Sequence, residues 1–460
     1  MTVWLYLAAL LGLIAAGHEL GRRRAWRVSD GRPARLHSLP SYHGLYVALW
    51  AGLPSAGVAL VWLVAEPHLA EWALLRELPA GKREAGGQEL QFLVQAVKKV
   101  AAGYDIIREV TPAMERAAAA FAAVQTTGKT VALTIAAGLG AIGLGVGARR
   151  VGTDLRARNA VERVIKAVML VAASVAILTT LGIVLSLLLE ALRFFGRVPA
   201  TSFLFGLEWN PQTAIREDQV AASGSFGFVP LFAGTMLVTA VAMAVAAPIG
   251  LLSAIYLSEY ASKRLRGSIK PLMEILAGVP TVVYGFFAAL TVAPLVREVA
   301  ASVGLEASSE SALAAGLVMG IMIIPFVSSL SDDVMHAVPQ ALRDGAYAMG
   351  ATQAETTKQV VFPAALPGIV GALLLAISRA IGETMIVVMA AGLAANLTAN
   401  PLEAATTVTV QIVNLLTGDQ AFDSAKTLSA FALGVTLFAI TLMLNVIALH
   451  VVRKYRDAYE

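Results

Sequence analysis

Ala167 to Leu189 reads A-V-M-L-V-A-A-S-V-A-I-L-T-T-L-G-I-V-L-S-L-L-L, with Lys166 before it, Glu190 after it and no ionisable side chain between. About 20 apolar residues are what an α-helix needs to cross a hydrocarbon core of about 30 Å. In lipid, a helix also satisfies every backbone N–H and C=O within one segment. The run therefore predicts a membrane-spanning helix. Working outward gives eight more: Val3 to Gly17, Gly44 to Ala65, Thr130 to Gly147, Phe228 to Leu257, Leu272 to Leu295, Ala312 to Leu330, Gly368 to Gly392 and Ser429 to Val452. The composition agrees: of 460 residues, 57% are hydrophobic and 14% charged, where a soluble domain carries about 25% charged residues. Mean hydropathy is +0.72. The expected fold is an all-α polytopic membrane protein. Coiled coils, disordered tails and outer-membrane barrels are excluded, the last because barrel strands alternate apolar with polar residues.

The chain has no cysteine, which excludes disulfides, thiolate metal sites, iron–sulfur clusters and a cysteine nucleophile. Its six histidines, His18, His37, His43, His68, His336 and His450, show no i, i+4 pair of the kind that holds a metal on one helix face. No metal site is expected.

Lys and Arg set the orientation, because short cytoplasmic loops hold the excess. With the N-terminus outside, the inner segments collect 21 basic residues: Arg22, Arg23, Arg24, Arg27, Arg32 and Arg35; Arg149 to Lys166; Lys263 to Lys270; Arg343 and Lys358; and the C-terminal group from Arg453. The short outer loops hold 5: Arg193, Arg197, Arg216, Arg297 and Lys426. The C-terminus is therefore expected in the cytoplasm. Glu66 to Lys129 is too long for this rule. Within it Gln88 to Gln125 is helix-like, with Leu90, Leu93, Val94, Val97 and Val100 at helical spacing and a break at Pro112, and is read as a small outer helical domain. Such a domain is either a cap packed on the spans, which the periodicity favours, or a docking surface for an external partner.

Ala123 to Thr130, A-V-Q-T-T-G-K-T, satisfies a relaxed phosphate-loop pattern. A working phosphate loop joins a strand to a helix, so that backbone N–H groups cradle the phosphates. Here the flanking sequence is helical on one side and enters the membrane on the other, so no nucleotide site is expected.

Arg379 and Glu383 sit inside an otherwise apolar run. Each charge at the centre of a span is unfavourable by about 2.5–3.5 kcal/mol on insertion scales, so such residues face a bundle or a pore and find partners. Four apart on one helix, they can pair with each other. Either Arg379 attracts an anion along a pathway while Glu383 moderates its field, or the two form a structural ion pair. Gly278, Pro280 and Gly285 around Tyr284 mark a broken or kinked span, Pro325 a kink in another, and Gly143 and Gly147 a helix-packing face.

Between the seventh and eighth spans, Pro339 to Pro367 reads P-Q-A-L-R-D-G-A-Y-A-M-G-A-T-Q-A-E-T-T-K-Q-V-V-F-P-A-A-L-P: helix formers interrupted at Gly350 and closed by Pro363 and Pro367. It predicts helix, tight turn, helix at the inner membrane face. The spacing of Asp344, Gly345, Ala346, Gly350, Val360 and Pro363 resembles the EAA loop of ABC importer permeases, departing from it in Asp344 for Glu, Gly345 for Ala and Phe362 for Leu. Phe228 to Ala261, Glu274 to Pro294, Arg379 to Thr384 (R-A-I-G-E-T) and Gly206 to Pro211 (G-L-E-W-N-P) narrow the resemblance to the PstC permeases of phosphate-specific importers.

That resemblance covers the chain from about Ala167 onward. It implies a MetI-like permease core of the last six spans, within residues 151–460, with the coupling loop at 339–367. Residues 1–150, with outer loop 66–129, form an N-terminal extension found in longer members. It further implies an inner-membrane subunit that is not an enzyme and holds no cofactor. ATP and magnesium would be used by a PstB ATPase dimer, PstA would be the sister permease, and a periplasmic binding protein, PstS, would deliver inorganic phosphate. Asp344, Gly345, Ala346, Gly350, Val360 and Pro363 would serve ATPase coupling, and Arg379 and Glu383 the substrate pathway. A permease for sulfate or molybdate shares the EAA loop. A secondary transporter would show internal repeats, and a membrane sensor a soluble signalling domain.

Overall fold

The computed structural model describes residues 2–79, 88–103, 111–212, 224–417 and 424–456. Arg216, residues 80–87 of the outer loop 66–129 and residues 104–110 of its expected helical stretch lie outside these. The chain divides into two compact units, Met1–Ile177 and Leu178–Glu460.

The first unit contains α1 (Thr2–Val28), α2 (Pro40–Glu77), α3 (Gln88–Ala101), α4 (Pro112–Arg149) and the beginning of α5 (Ala157–Phe195). Where both partners are apolar and lipid is equally apolar, helices associate by close packing at small residues. A Cβ added at Gly21 would lie 2.6 Å from the His43 carbonyl, at Gly44 2.6 Å from the His18 carbonyl, and at Gly143 1.9 Å from the Trp50 carbonyl. Gly143 and Gly147, read as a packing face, do face α2. Helices α2 and α4 have 38 residues each, roughly 57 Å at 1.5 Å per residue, and so overreach a 30 Å core. Their surplus turns bury Leu74 of α2, Leu78 just after it, and Met114, Ala117 and Ala118 of α4 against Leu93, Val94 and Val97 of α3. The outer helical stretch is thus built onto the ends of two spans. The phosphate-loop look-alike lies inside unbroken α4, where the Thr126 and Thr130 hydroxyls donate to their own helix at Ala122 O and Thr126 O.

In the second unit, the end of α5 is followed by α6 (Ala200–Phe205) and a two-residue antiparallel pair, β1 (Trp209–Asn210) with β2 (Ser225–Phe226), in register Trp209↔Phe226. Phe194 meets Phe195, Phe203 and Phe226 edge to face, ring centroids 5.5 Å apart, which holds this cap on the helix end. Next come α7 (Val229–Ile255), prolonged by a π turn Tyr256–Tyr260, α8 (Lys263–Ala277), and α9 (Thr281–Phe287), which runs through a π turn Ala288–Val292 into α10 (Ala293–Ser302). Then follow α11 (Ala312–His336), α12 (Gln340–Ala348), α13 (Gln353–Thr356), a π turn Thr357–Val361, α14 (Phe362–Ile381), α15 (Met385–Ala390), α16 (Val408–Leu416) and α17 (Ala425–Arg456). The core lies around α11, whose Met319, Ile323 and Val327 are buried with Val238 and Ala242 of α7, Ala376 of α14 and Ile386 of α15.

Among the described residues, eight helical stretches are long and apolar enough to cross a membrane: α2, α4, α5, Val229–Tyr260, Thr281–Ser302, α11, Gln353–Ile381 and Ala425–Lys454. Three expected spans are corrected. Val3 to Gly17 falls in α1, which is not among these eight. The run Leu272 to Leu295 is broken: α8 is capped at Gly278 and the next helix begins after Pro280, because proline lacks the N–H that would continue the ladder. The run Gly368 to Gly392 breaks at Gly382, and α15 ends before Gly392, whose φ of +98° suits glycine. Helix α16 lies between the runs Gly368 to Gly392 and Ser429 to Val452, outside every expected span.

Candidate functional site: a coupling hairpin and a charged cavity

The segment Pro339 to Pro367 folds as its punctuation requires. Pro339 precedes α12, and Gly350 follows its C-cap with φ +87°. The Gly350 N–H donates to Tyr347 O (2.9 Å) and the Ala351 N–H to Ala346 O (3.1 Å), which closes the helix end in a Schellman turn. Thr352 and Glu355 then form a capping box that starts α13. Leu342 and Tyr347 are exposed and Met349 is 89% exposed, so the hairpin presents apolar side chains to whatever lies beyond it. Asp344 is exposed, its carboxylate accepting from Gln340 Nε2 at 3.0 Å. A Cβ at Gly345 would meet nothing within 4 Å. Of the apolar pair closing the segment, Val361 is fully buried, while the expected position, Val360, is only partly so. Pro363 opens α14 in its first turn.

Arg343, noted in the sequence only as a basic inner residue, is buried and holds the hairpin down. Its guanidinium pairs with Glu259 Oε1 at 2.9 Å, with the two side chains 10% and 7% exposed. It also donates to Val338 O (2.7 Å) and Met335 O (2.9 Å).

Beyond α11's last turns lies a cavity of about 280 Å³ lined by residues that include Lys270, Glu274, Phe326, Ser329, Asp332 and Arg379. Asp332, 2% exposed, accepts Arg266 Nη2 at both of its carboxylate oxygens (2.8 and 3.1 Å) and Lys270 at 3.0 Å, and Lys270 also reaches Asp333 at 3.0 Å. Asp333, then Asp332, hold the Lys270 ammonium above its usual pKa. Little in the sequence marks this cluster: Asp332 follows the expected span end at Leu330, and Arg266 and Lys270 look like ordinary inner-loop charge.

Arg379 and Glu383 are not brought together. Helix α14 ends at Ile381, so the i, i+4 geometry does not exist. Glu383 Oε1 accepts from Met385 N–H at 3.1 Å and its backbone carbonyl from the Thr409 hydroxyl at 2.9 Å. The Arg379 guanidinium lies over the Phe326 ring, 5.5 Å from its centroid, and among the described residues it makes no ion pair.

Residues 246–457 match the family described as binding-protein-dependent transport system inner membrane component. Residues 7–179 match one described as phosphate ATP-binding cassette transporter. The phosphate transport system permease protein PstC of Mesorhizobium japonicum is 33% identical over 62% of this chain and 88% of its own length. The chain belongs to the PstC permease family. A probable ABC transporter permease, YqgH, of Bacillus subtilis is 32% identical over 60% of the chain and 84% of its own length. PstC of Haemophilus influenzae is 32% identical over 58% and 84%. As a PstC-type permease the chain is a multi-pass inner-membrane subunit of an ABC importer and not an enzyme.

Proposed function

We propose that this chain forms one half of the translocation pathway of an ATP-driven phosphate importer. Arg379 carries the reading. A cation at the wall of a cavity, parked on an aromatic ring instead of a carboxylate, is available to an anion. A cation–π contact contributes about 0.5–2 kcal/mol, whereas hydrogen bonds between a guanidinium and phosphate are charge-assisted and commonly bidentate. Phosphate can therefore take the arginine from Phe326 without displacing a buried acid. Glu274 and Asp332 in the same wall keep the field moderate, which favours release over retention. Glu383 shapes the break after α14, its carboxylate holding the first turn of α15.

Gln340–Thr356 is the hairpin on which a PstB-type ATPase dimer would push, with Asp344, Gly345, Ala346 and Gly350 at its tip and Val360 and Pro363 at its base. ATP and magnesium would belong to that ATPase. A PstA-type permease would supply the other half of the pathway, and a PstS-type binding protein would deliver phosphate from outside. The excess of Lys and Arg in alternate segments supports a C-terminus in the cytoplasm and an N-terminus outside.

The test is uptake of labelled phosphate and sulfate by proteoliposomes holding the complete complex, its binding protein and ATP. Phosphate uptake that sulfate does not match is expected; sulfate uptake without phosphate uptake would refute the substrate.

A further inference from the structure

Both helices of the coupling hairpin grip the same residue. From α12, Arg343 pairs with the Glu259 carboxylate, and from α13, Gln353 Nε2 donates to the Glu259 backbone carbonyl at 2.5 Å. Glu259 lies in the π turn that ends α7. The same guanidinium donates to Met335 O in the last turn of α11 and to Val338 O just beyond it, where the helix presents the negative end of its dipole. One side chain thus ties the hairpin to the ends of two helices at once.

Its burial decides what happens under load. Arg343 and Glu259 are 10% and 7% exposed, so parting them would strand two charges in a poorly solvated place. The planar fork of arginine also fixes the angle between its partners in a way that a lysine would not. The Gly350 turn is exposed, whereas this junction is buried and held by several hydrogen bonds. Helix α11 carries Asp332 three residues before Met335, and Asp332 clamps Arg266 and Lys270 at the cavity wall. A displacement of the hairpin therefore reaches α7 directly, and through α11 it reaches the cations beside Arg379.

We infer that the buried Arg343–Glu259 pair is the joint that passes motion of the coupling hairpin to helices α7 and α11 and so to the charged cavity. Both are positioning residues: neither meets phosphate nor ATP. This rests on the phosphate-importer reading, and the test separates the two.

The experiment measures labelled phosphate moved per ATP hydrolysed in the same proteoliposomes, using the complete complex with its binding protein and comparing wild type with Glu259→Gln and Arg343→Gln. A merely structural loss lowers uptake and hydrolysis together and leaves the ratio unchanged. A broken joint lowers the ratio. A fall of at least fivefold in both variants is expected; a smaller fall in either overturns the proposal. Should Arg343→Gln fail to assemble, Arg343→Lys, which keeps the charge but loses the fork, is read by the same ratio and the same threshold. Wild-type vesicles that hydrolyse ATP without taking up phosphate would overturn the phosphate reading, and this proposal with it.

Discussion

Arg379 and Glu383 show how one local event redirects a sequence argument. Their spacing fits an ion pair on a continuous helix, and the apolar run around them gives no reason to end one, yet α14 stops at Ile381 and leaves Arg379 on Phe326. Coupling between two side chains needs a contact or a shared partner, and Arg379 lies on Phe326 while Glu383 holds Met385 N–H and Thr409. In phosphate uptake, the effect of Arg379→Ala combined with Glu383→Gln is therefore expected to equal the product of the single effects, Arg379→Ala alone costing at least tenfold; a coupling above about 0.5 kcal/mol would restore the ion pair. Glycines separate just as clearly. Gly345→Ala places a Cβ in open space on an exposed helix, and thermal unfolding should show a gain of about 0.5–1 kcal/mol. Gly350→Ala keeps the open space but forces φ +87° on an L-residue, a loss of about 1–2 kcal/mol. The Gly350 turn was legible because it is local. Arg343 was not, since its partner Glu259 lies 84 positions away.

At the level of elements, apolar length announces a span but does not say where the helix inside it breaks. Pro280 could be read, because a missing N–H is a property of the residue itself. The end of α14, the π turns and the buried α16 depend on contacts across the bundle, such as the Thr409 hydroxyl on the Glu383 carbonyl. Asp332 tests the α8–α11 tie. Asp332→Asn removes the charge that Arg266 and Lys270 share, and a loss of about 1.5–3 kcal/mol, typical of a hydrogen bond to a charged group, should appear in thermal unfolding. The tie's pH dependence has a definite sign. Lys270 has its pKa raised by Asp333 and Asp332, so its contribution is full below the free lysine value of about 10.4 and is lost only as pH climbs through the raised value. The stability difference between wild type and Lys270→Met should therefore be constant from pH 6 to pH 9; a change across that window would mean another group titrates in the cluster.

The whole molecule joins an N-terminal membrane unit with a helical cap to a permease unit whose core surrounds α11. Composition and run length gave the membrane class, and the hairpin spacing gave the importer family. The cavity was hidden because its walls come from α8, α11 and α14 together. The absence of cysteine makes a decisive measurement simple. Ser329, partly exposed in the cavity wall, can be replaced by the chain's sole cysteine in the assembled importer. The rate of its modification by a membrane-impermeant thiol reagent applied from the ATPase side is then followed during turnover. Phosphate should slow that modification, sulfate should not, and Arg379→Ala should abolish the protection; a rate indifferent to phosphate in vesicles that are transporting it would contradict a phosphate path past Arg379.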